Sequence, residues 1–152
     1  MTGNSIFRPA EETATCRWSE VPVLAYKETD SAPFREVTRQ VLFEGGPLAC
    51  QLRYFEVAPG GHTTLERHAH VHGVMVLRGH GHCLVGDRIL SLATQDLVYI
   101  PALIWHQFRA AAEVPLGFLC MVNTERDRPE LPSPIELAAL RADPAIAAFI
   151  QT

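Results

Sequence analysis

Imidazole side chains are concentrated in one short stretch of this 152-residue chain. Six of the seven histidines lie between positions 62 and 82: His62, His68, His70, His72, His80 and His82; the seventh is His106. Every second residue from Glu66 to His72 is an imidazole or a carboxylate, so an extended backbone would point these side chains to one face. Nitrogen donors that converge among apolar neighbours are costly without a cation, so the stretch predicts a metal site.

Two other interpretations fit part of this stretch. His68 and His72 are four residues apart, which is a spacing used by zinc-binding helices, but no Glu follows His68. The neighbours Val71, Gly73 and Val74 favour strand and turn over helix. Alternatively, the histidines only line a polar surface, which is the usual situation of a single histidine. Four potential ligands at alternating positions favour the metal site.

The elements that would position these residues are short strands. Between positions 21 and 122 the chain divides into ten β-branched or aromatic runs separated by Gly, Pro and Asp. The runs are 21–26, 36–43, 48–57, 63–68, 72–78, 81–85, 88–92, 96–100, 104–109 and 116–122. Many short strands at this spacing are typical of an all-β sandwich or barrel.

Both ends of the chain differ from this β-rich centre. We predict an N-terminal arm at 1–20, a barrel domain at 21–125 and a C-terminal segment at 126–152. The C-terminal segment is rich in proline and then has helical spacing, with Pro144 in the first turn of its second helix.

Composition excludes several classes of protein. With 47% hydrophobic and 20% charged residues, the chain can form a globular core. The net charge is −4 and the basic residues do not cluster, which disfavours nucleic-acid binding. The sequence has neither an apolar run long enough for a membrane span nor a signal peptide, so a cytoplasmic protein is expected. Four scattered cysteines without a CxxC pair predict reduced thiols: Cys16, Cys50, Cys83 and Cys120.

Two motifs in the chain resemble those of the cupins. The first cupin motif places Gly, His, His, Glu and Gly at a fixed spacing, and Gly60, Glu66, His68, His72 and Gly79 have that spacing. Glu66 stands where the first His is expected, and His72 stands where the Glu is expected. The resemblance implies a small antiparallel β-barrel, a double-stranded β-helix or jelly roll, with a metal in its interior.

The second cupin motif is matched by identity only at Pro101 and His106. Together the motifs imply a ligand set of Glu66, His68, His72 and His106. His70 is expected at the pocket mouth as a substrate-binding residue, or in place of Glu66 in the metal shell. Such donors suit one divalent transition metal per chain; Mn²⁺ is favoured, and Fe²⁺, Cu²⁺, Ni²⁺ or Zn²⁺ is possible.

Within the cupins, the sequence is most similar to small manganese-binding monocupins. Arg53, Pro59–Gly61 and Phe118–Cys120 match their pattern. The resemblance implies that Cys120 lies near the metal as a catalytic nucleophile and that Arg53 binds the substrate, for example through a phosphate. It also implies a homodimer.

The enzymatic activity implied by this resemblance depends on thiols. A group of these monocupins removes the methylthio group from 1-methylthio-xylulose 5-phosphate and leaves 1-deoxy-xylulose 5-phosphate, with glutathione or another small thiol as partner. Two alternatives stay open. One is a metal-dependent dioxygenase or isomerase of a small metabolite in which Cys120 takes no part. The other is a non-catalytic module that binds a metal or a metabolite.

Overall fold

The protein is an antiparallel β-barrel with a short helical segment at its C-terminal end, as predicted. The computed structural model describes residues 16–18, 20–27, 33–44 and 47–152, so most of the predicted arm at 1–20 lies outside the described residues. The strands of the described part are β1 Leu24–Ala25, β2 Arg35–Glu44, β3 Cys50–His62, β4 His72–Val85, β5 Arg88–Ala93, β6 Leu97–Ile100, β7 His106–Ala110 and β8 Leu116–Asn123. Neighbouring strands pair antiparallel.

Strand β4 runs through both halves of the barrel. Its first half pairs with β6 and β8, and its second half pairs with β5 and β7. The runs predicted as separate strands at 72–78 and 81–85 therefore form one strand. Gly79 stands at the change of partners with φ of 70°, a left-handed conformation that glycine adopts without strain. The glycine that indicated a turn in the sequence instead bends a continuous strand.

The run predicted as a strand at 63–68 is mostly irregular. Glu66 pairs with His106 and Arg67 pairs with Glu130 through isolated β-bridges. Arg67 donates its N–H to the Glu130 carbonyl at 3.1 Å, and the return bond measures 2.8 Å. The stretch is thus held between the start of β7 and the segment after β8, which brings the histidines at 68 and 106 together.

The barrel core is formed by inward-facing strand residues. Val57, Val76, Phe108 and Phe118 are buried in one apolar cluster. Phe108 stacks on Phe118 with 4.5 Å between ring centroids. Period-2 alternation places such residues inside and leaves polar neighbours outside, which is the pattern expected of a half-buried sheet.

Two helices cover one end of the barrel. Helix α1, Pro134–Leu140, begins with a capping box between Ser133 and Glu136. Helix α2, Pro144–Phe149, has its proline in the first turn, as predicted, and buries Ile146 against Leu65 and Leu84 of the barrel. No helix in the described ranges is long and apolar enough to cross a membrane.

Candidate metal centre and thiol site

Three of the four predicted metal ligands meet at one point inside the barrel. His68 lies in the loop before β4, His72 begins β4, and His106 begins β7. One ligand atom from each lies within 4.8 Å of the other two, and all three side chains are buried. The cluster could hold a metal ion, as the spacing of the motif residues predicts.

Hydrogen bonds fix which ring nitrogen each histidine offers. Nδ1 of His68 donates to the His70 carbonyl at 2.7 Å, and Nδ1 of His106 donates to the Ile104 carbonyl at 3.0 Å. The Nε2 atoms of His68 and His72 are buried without a hydrogen-bond partner among the described residues. A buried nitrogen without a partner is costly, and a metal ion would remove that cost, so these residues fit a metal.

The buried imidazoles are neutral at neutral pH. Burial, together with the neighbouring His106 and His70, lowers the pKa of His68 from 6.5 to about 4. Burial likewise lowers the pKa of His72 strongly and that of His106, and for His72 the neighbouring imidazoles add to the effect. Neutral imidazole is the form that binds metals, so burial prepares the cluster for that role.

Glu66 and His70 line the same cavity but are not members of the three-histidine cluster. The Glu66 carboxylate accepts hydrogen bonds from the Tyr26 hydroxyl at 3.3 Å and from Lys27 Nζ. His70 stacks on His68 with 3.7 Å between ring centroids. Both side chains face the interior that the alternating pattern predicts.

His70 is held by Asp127. Its Nδ1 lies 2.6 Å from Asp127 Oδ1, and the same carboxylate accepts hydrogen bonds from the backbone N–H groups of Ala69 and His70. Burial opposes the charge of this carboxylate, but these hydrogen bonds keep the pKa of Asp127 well below its usual range. His70 is therefore fixed in orientation at the cavity wall.

The Cys120 thiol lies on the same cavity wall and contacts a guanidinium and an imidazole. Its Sγ is 3.7 Å from Arg53 Nη2 and 3.5 Å from His72 Nδ1. Burial raises the pKa of Cys120, whereas the charge and hydrogen bond of Arg53 act in the opposite direction. In the protein without metal, burial thus opposes formation of the Cys120 thiolate, and the positive charge of Arg53 favours it.

A cavity of about 200 Å³ joins these groups. It is lined by apolar rings and by four charged residues that sequence reasoning missed: Lys27, Arg39, Arg126 and Asp127. Val37, Arg39 and Val41 are two residues apart along β2 and so share one face of the strand. This spacing was the signal in the sequence that Arg39 faces inward. The other three lie outside the central strands, where no periodicity indicates them.

The arrangement combines a candidate cation site, a nucleophilic sulfur and several guanidinium groups in one small cavity. The cavity suits one small anionic metabolite, because its size excludes a polymer and its charged lining is mainly basic. The outward-facing His80 and His82 lie outside it, and His62 is also absent from its lining.

Comparison with known proteins agrees with this architecture. The family model of the cupin domain matches residues 53–122. The 1-methylthio-D-xylulose 5-phosphate methylsulfurylase of Rhodospirillum rubrum is 61% identical over 144 residues, which cover 95% of this chain and 91% of that protein.

Two crystal structures are similar over almost the whole chain. A cupin 2 conserved barrel domain protein from Rhodopseudomonas palustris is 56% identical with a TM-score of 0.88, and the match covers 95% of this chain and 99% of that chain. A cupin-2 domain protein from Rhodospirillum rubrum is 62% identical with a TM-score of 0.84, and the match covers 94% and 95% respectively. The chain therefore belongs to the cupin family.

Proposed function

We propose that this protein is a metal-dependent methylsulfurylase that converts 1-methylthio-xylulose 5-phosphate into 1-deoxy-xylulose 5-phosphate. The observation that carries this proposal is the position of Cys120, whose thiol contacts Arg53 and His72 on the wall of the cavity that holds the three-histidine cluster. The 61% identity to a protein of that name from Rhodospirillum rubrum supports the choice of reaction. An oxygenase, an isomerase or a passive binding module would not require this thiol.

His68, His72 and His106 are the proposed metal ligands, each through Nε2. We keep Glu66 as the candidate for a fourth ligand, because its carboxylate lines the same cavity and can bind a metal while it accepts hydrogen bonds from Tyr26 and Lys27. A carboxylate in the set favours Mn²⁺ over softer ions. When bound, the metal supplies Lewis-acid stabilisation of the negative charge that develops on the carbonyl oxygen beside the carbon–sulfur bond.

Cys120 is the proposed nucleophile. With Nε2 of His72 reserved for the metal, its Nδ1–H is free to donate to Sγ, and Arg53 Nη2 donates from the other side. The thiolate attacks the methylthio sulfur and forms a methyl–Cys120 disulfide. The bond between that sulfur and C1 breaks, its electron pair enters the enolate of C1 and C2, and C1 takes up one proton from water.

A second thiol completes the cycle. A small thiolate such as glutathione attacks the methyl-bearing sulfur of the mixed disulfide, which forms a methylthio–glutathione disulfide and returns the Cys120 thiolate. Over the whole cycle C1 is reduced, and the methylthio sulfur and the glutathione sulfur are oxidised to a disulfide, so no other oxidant or reductant is needed. Arg53, which contacts this sulfur, and His70, which lines the same cavity, are the proposed substrate contacts.

Mass spectrometry of Cys120 tests the proposal. Incubation with the thioether substrate, without added thiol, is expected to replace the thiol hydrogen of Cys120 by one methylthio group, and glutathione is expected to remove that group. Cys120→Ser should abolish product formation, while Cys50→Ser, at the start of β3, should leave it unchanged. Normal product formation by Cys120→Ser would refute the proposal.

We also propose that the protein is a cytoplasmic homodimer. Cytoplasmic conditions would keep its four cysteines reduced, and all four are free. The outer face of β4, β6 and β8 exposes Met75, Leu97, Tyr99 and Met121, an apolar surface that a second copy could cover. Leu97→Lys is expected to convert the dimer into a monomer in light scattering, whereas Ile135→Lys on α1 is not. A monomeric wild type would contradict this part.

A further inference from the structure

Three guanidinium groups converge on one side of the cavity. Arg39 comes from β2 and Arg53 from β3, while Arg126 reaches in from the segment after β8. Arg126 is held in place because its Nη1 donates to the Asn123 and Thr124 carbonyls, both at 3.1 Å, and its Nη2 donates to a Gln51 side chain. Three separate parts of the chain thus bring positive charge to one place.

The acidic residues that line the cavity do not neutralise these arginines. Glu66 forms its ion pair with Lys27, and Asp127 pairs with His70. Glu44 lies near the arginines but is outside the cavity lining, and its carboxylate accepts a hydrogen bond from Gln51. The described lining residues therefore leave three guanidinium charges in the cavity without a carboxylate partner there.

The arginines also have unused hydrogen-bond donors. The Nε atoms of Arg39 and Arg53 are buried without a partner among the described residues. Burial and the charge of Arg53 lower the pKa of both Arg39 and Arg126, so the three cations repel one another. Buried donors and mutual repulsion both cost free energy, and an anion with several acceptor oxygens would remove both costs.

We propose that Arg39, Arg53 and Arg126 form the subsite for the phosphate monoester of the substrate. A phosphate dianion offers three terminal oxygens, which match guanidinium forks better than a carboxylate does when three arginines converge. Arg53 contacts Cys120 through Nη2, so the same side chain would contact both the phosphate of the substrate and the reacting sulfur. This inference rests on the proposed function and adds Arg39 and Arg126 to the substrate-binding residues.

Binding of inorganic phosphate, measured by ³¹P NMR titration, tests the subsite without turnover. Arg39→Gln and Arg126→Gln are each expected to weaken binding about 10- to 100-fold, the range for losing one charged hydrogen-bonding partner. Arg128→Gln is the matched control, because Arg128 is exposed, is two residues from Arg126 and does not line the cavity. The affinity of Arg128→Gln for phosphate should equal that of the wild type.

The protein is titrated both loaded with Mn²⁺ and treated with a chelator. Retained binding after chelation supports the arginine site. If chelation abolishes phosphate binding and the arginine substitutions do not change the phosphate affinity, phosphate binds to the metal and the proposal is overturned. Phenylglyoxal modification of the wild type gives a second measurement that needs no variant to fold: phosphate should protect Arg39 and Arg126 more than Arg128.

Turnover separates this proposal from the proposed function. With the phosphorylated thioether, Arg39→Gln and Arg126→Gln should raise KM by a similar factor and change kcat much less. If the wild type binds phosphate through the arginines but transfers no methylthio group, the subsite stands and the proposed reaction fails. If methylthio transfer proceeds and neither variant changes phosphate affinity or KM, the reaction stands and the subsite is wrong.

Discussion

Replacing Gly79 by alanine is expected to be one of the most damaging small changes in the barrel. Gly79 has φ of 70°, and a Cβ built there would lie 1.7 Å from the Pro115 carbonyl oxygen. Real Cβ atoms essentially never approach closer than 3.0 Å, so the loop before β8 would have to move by about 1.3 Å, the difference between these distances. That movement would disturb the pairing of Gly79 with Leu116.

Two other glycines distinguish the effect of the positive φ from the effect of the steric overlap. Gly86 has φ of 66° but its Cβ would meet only an Ile104 methyl at 3.5 Å, and Gly73 would meet nothing within 4 Å. A left-handed alanine costs about 1–2 kcal/mol, partly offset by about 0.4–1 kcal/mol from a less flexible unfolded chain. We therefore expect Gly86→Ala to cost about 1 kcal/mol and Gly73→Ala to be neutral or slightly stabilising.

For Gly79→Ala the steric overlap adds about 1–3 kcal/mol, which gives a total of about 2–4 kcal/mol. At about 2–4 °C per kcal/mol for a domain of this size, the melting temperature should fall by roughly 5–15 °C. Urea unfolding followed by circular dichroism, on chelator-treated protein so that metal binding does not mask the change, gives the free energies of unfolding. Equal stability of Gly79→Ala and Gly86→Ala would refute the steric argument.

Three further predictions concern the site. His68→Ala and His106→Ala should lose most of the bound metal in elemental analysis, whereas His82→Ala, whose ring faces outward, should keep it; full occupancy in the first two would contradict the ligand assignment. Burial lowers the pKa of His68 from 6.5 to about 4, so between these pH values His68 is protonated in the unfolded chain but not in the folded chain. The metal-free protein should thus lose stability as pH falls from 6.5 toward 4, and a flat urea midpoint between pH 7 and pH 5 would rule this out. Arg53→Gln removes the charge that opposes the effect of burial on Cys120, so alkylation of this thiol by iodoacetamide should require higher pH than in the wild type; an unchanged pH profile would mean that Arg53 does not act on the sulfur.

The sequence predicted the parts of the site that depend on local spacing. His68 and His72 were identified by their alternation and His106 by the second motif, and these three side chains meet. The predicted barrel and the proline at the start of the last helix are also confirmed. Period-2 alternation determines the face of a strand residue such as His72, whereas His68 lies in an irregular stretch that the Glu66–His106 bridge holds beside β7.

Partners that come from distant parts of the chain could not be predicted in this way. The Lys27–Glu66 pair spans 39 residues and the Asp127–His70 pair spans 57. Neither spacing has a local periodicity, because the backbone between the partners turns several times. The bend at Gly79 escaped prediction for a related reason: a glycine with positive φ occurs both in a turn and inside a bent strand, and only the pairing of the flanking residues distinguishes them.

The reacting groups and the proposed substrate contacts are carried by different kinds of structure. Strand β8 lies between β3 and β4, so Cys120 pairs with Arg53 on one side and with Val74, two residues after His72, on the other. Three adjacent strands therefore set the distances from the sulfur to its guanidinium and imidazole neighbours, and a hydrogen-bonded sheet holds such distances more firmly than a loop does. Arg126 instead follows β8, on a segment held by its own hydrogen bonds to Asn123 and Thr124. Changes in that segment can alter which anion is bound while the sheet preserves the geometry of the thiol.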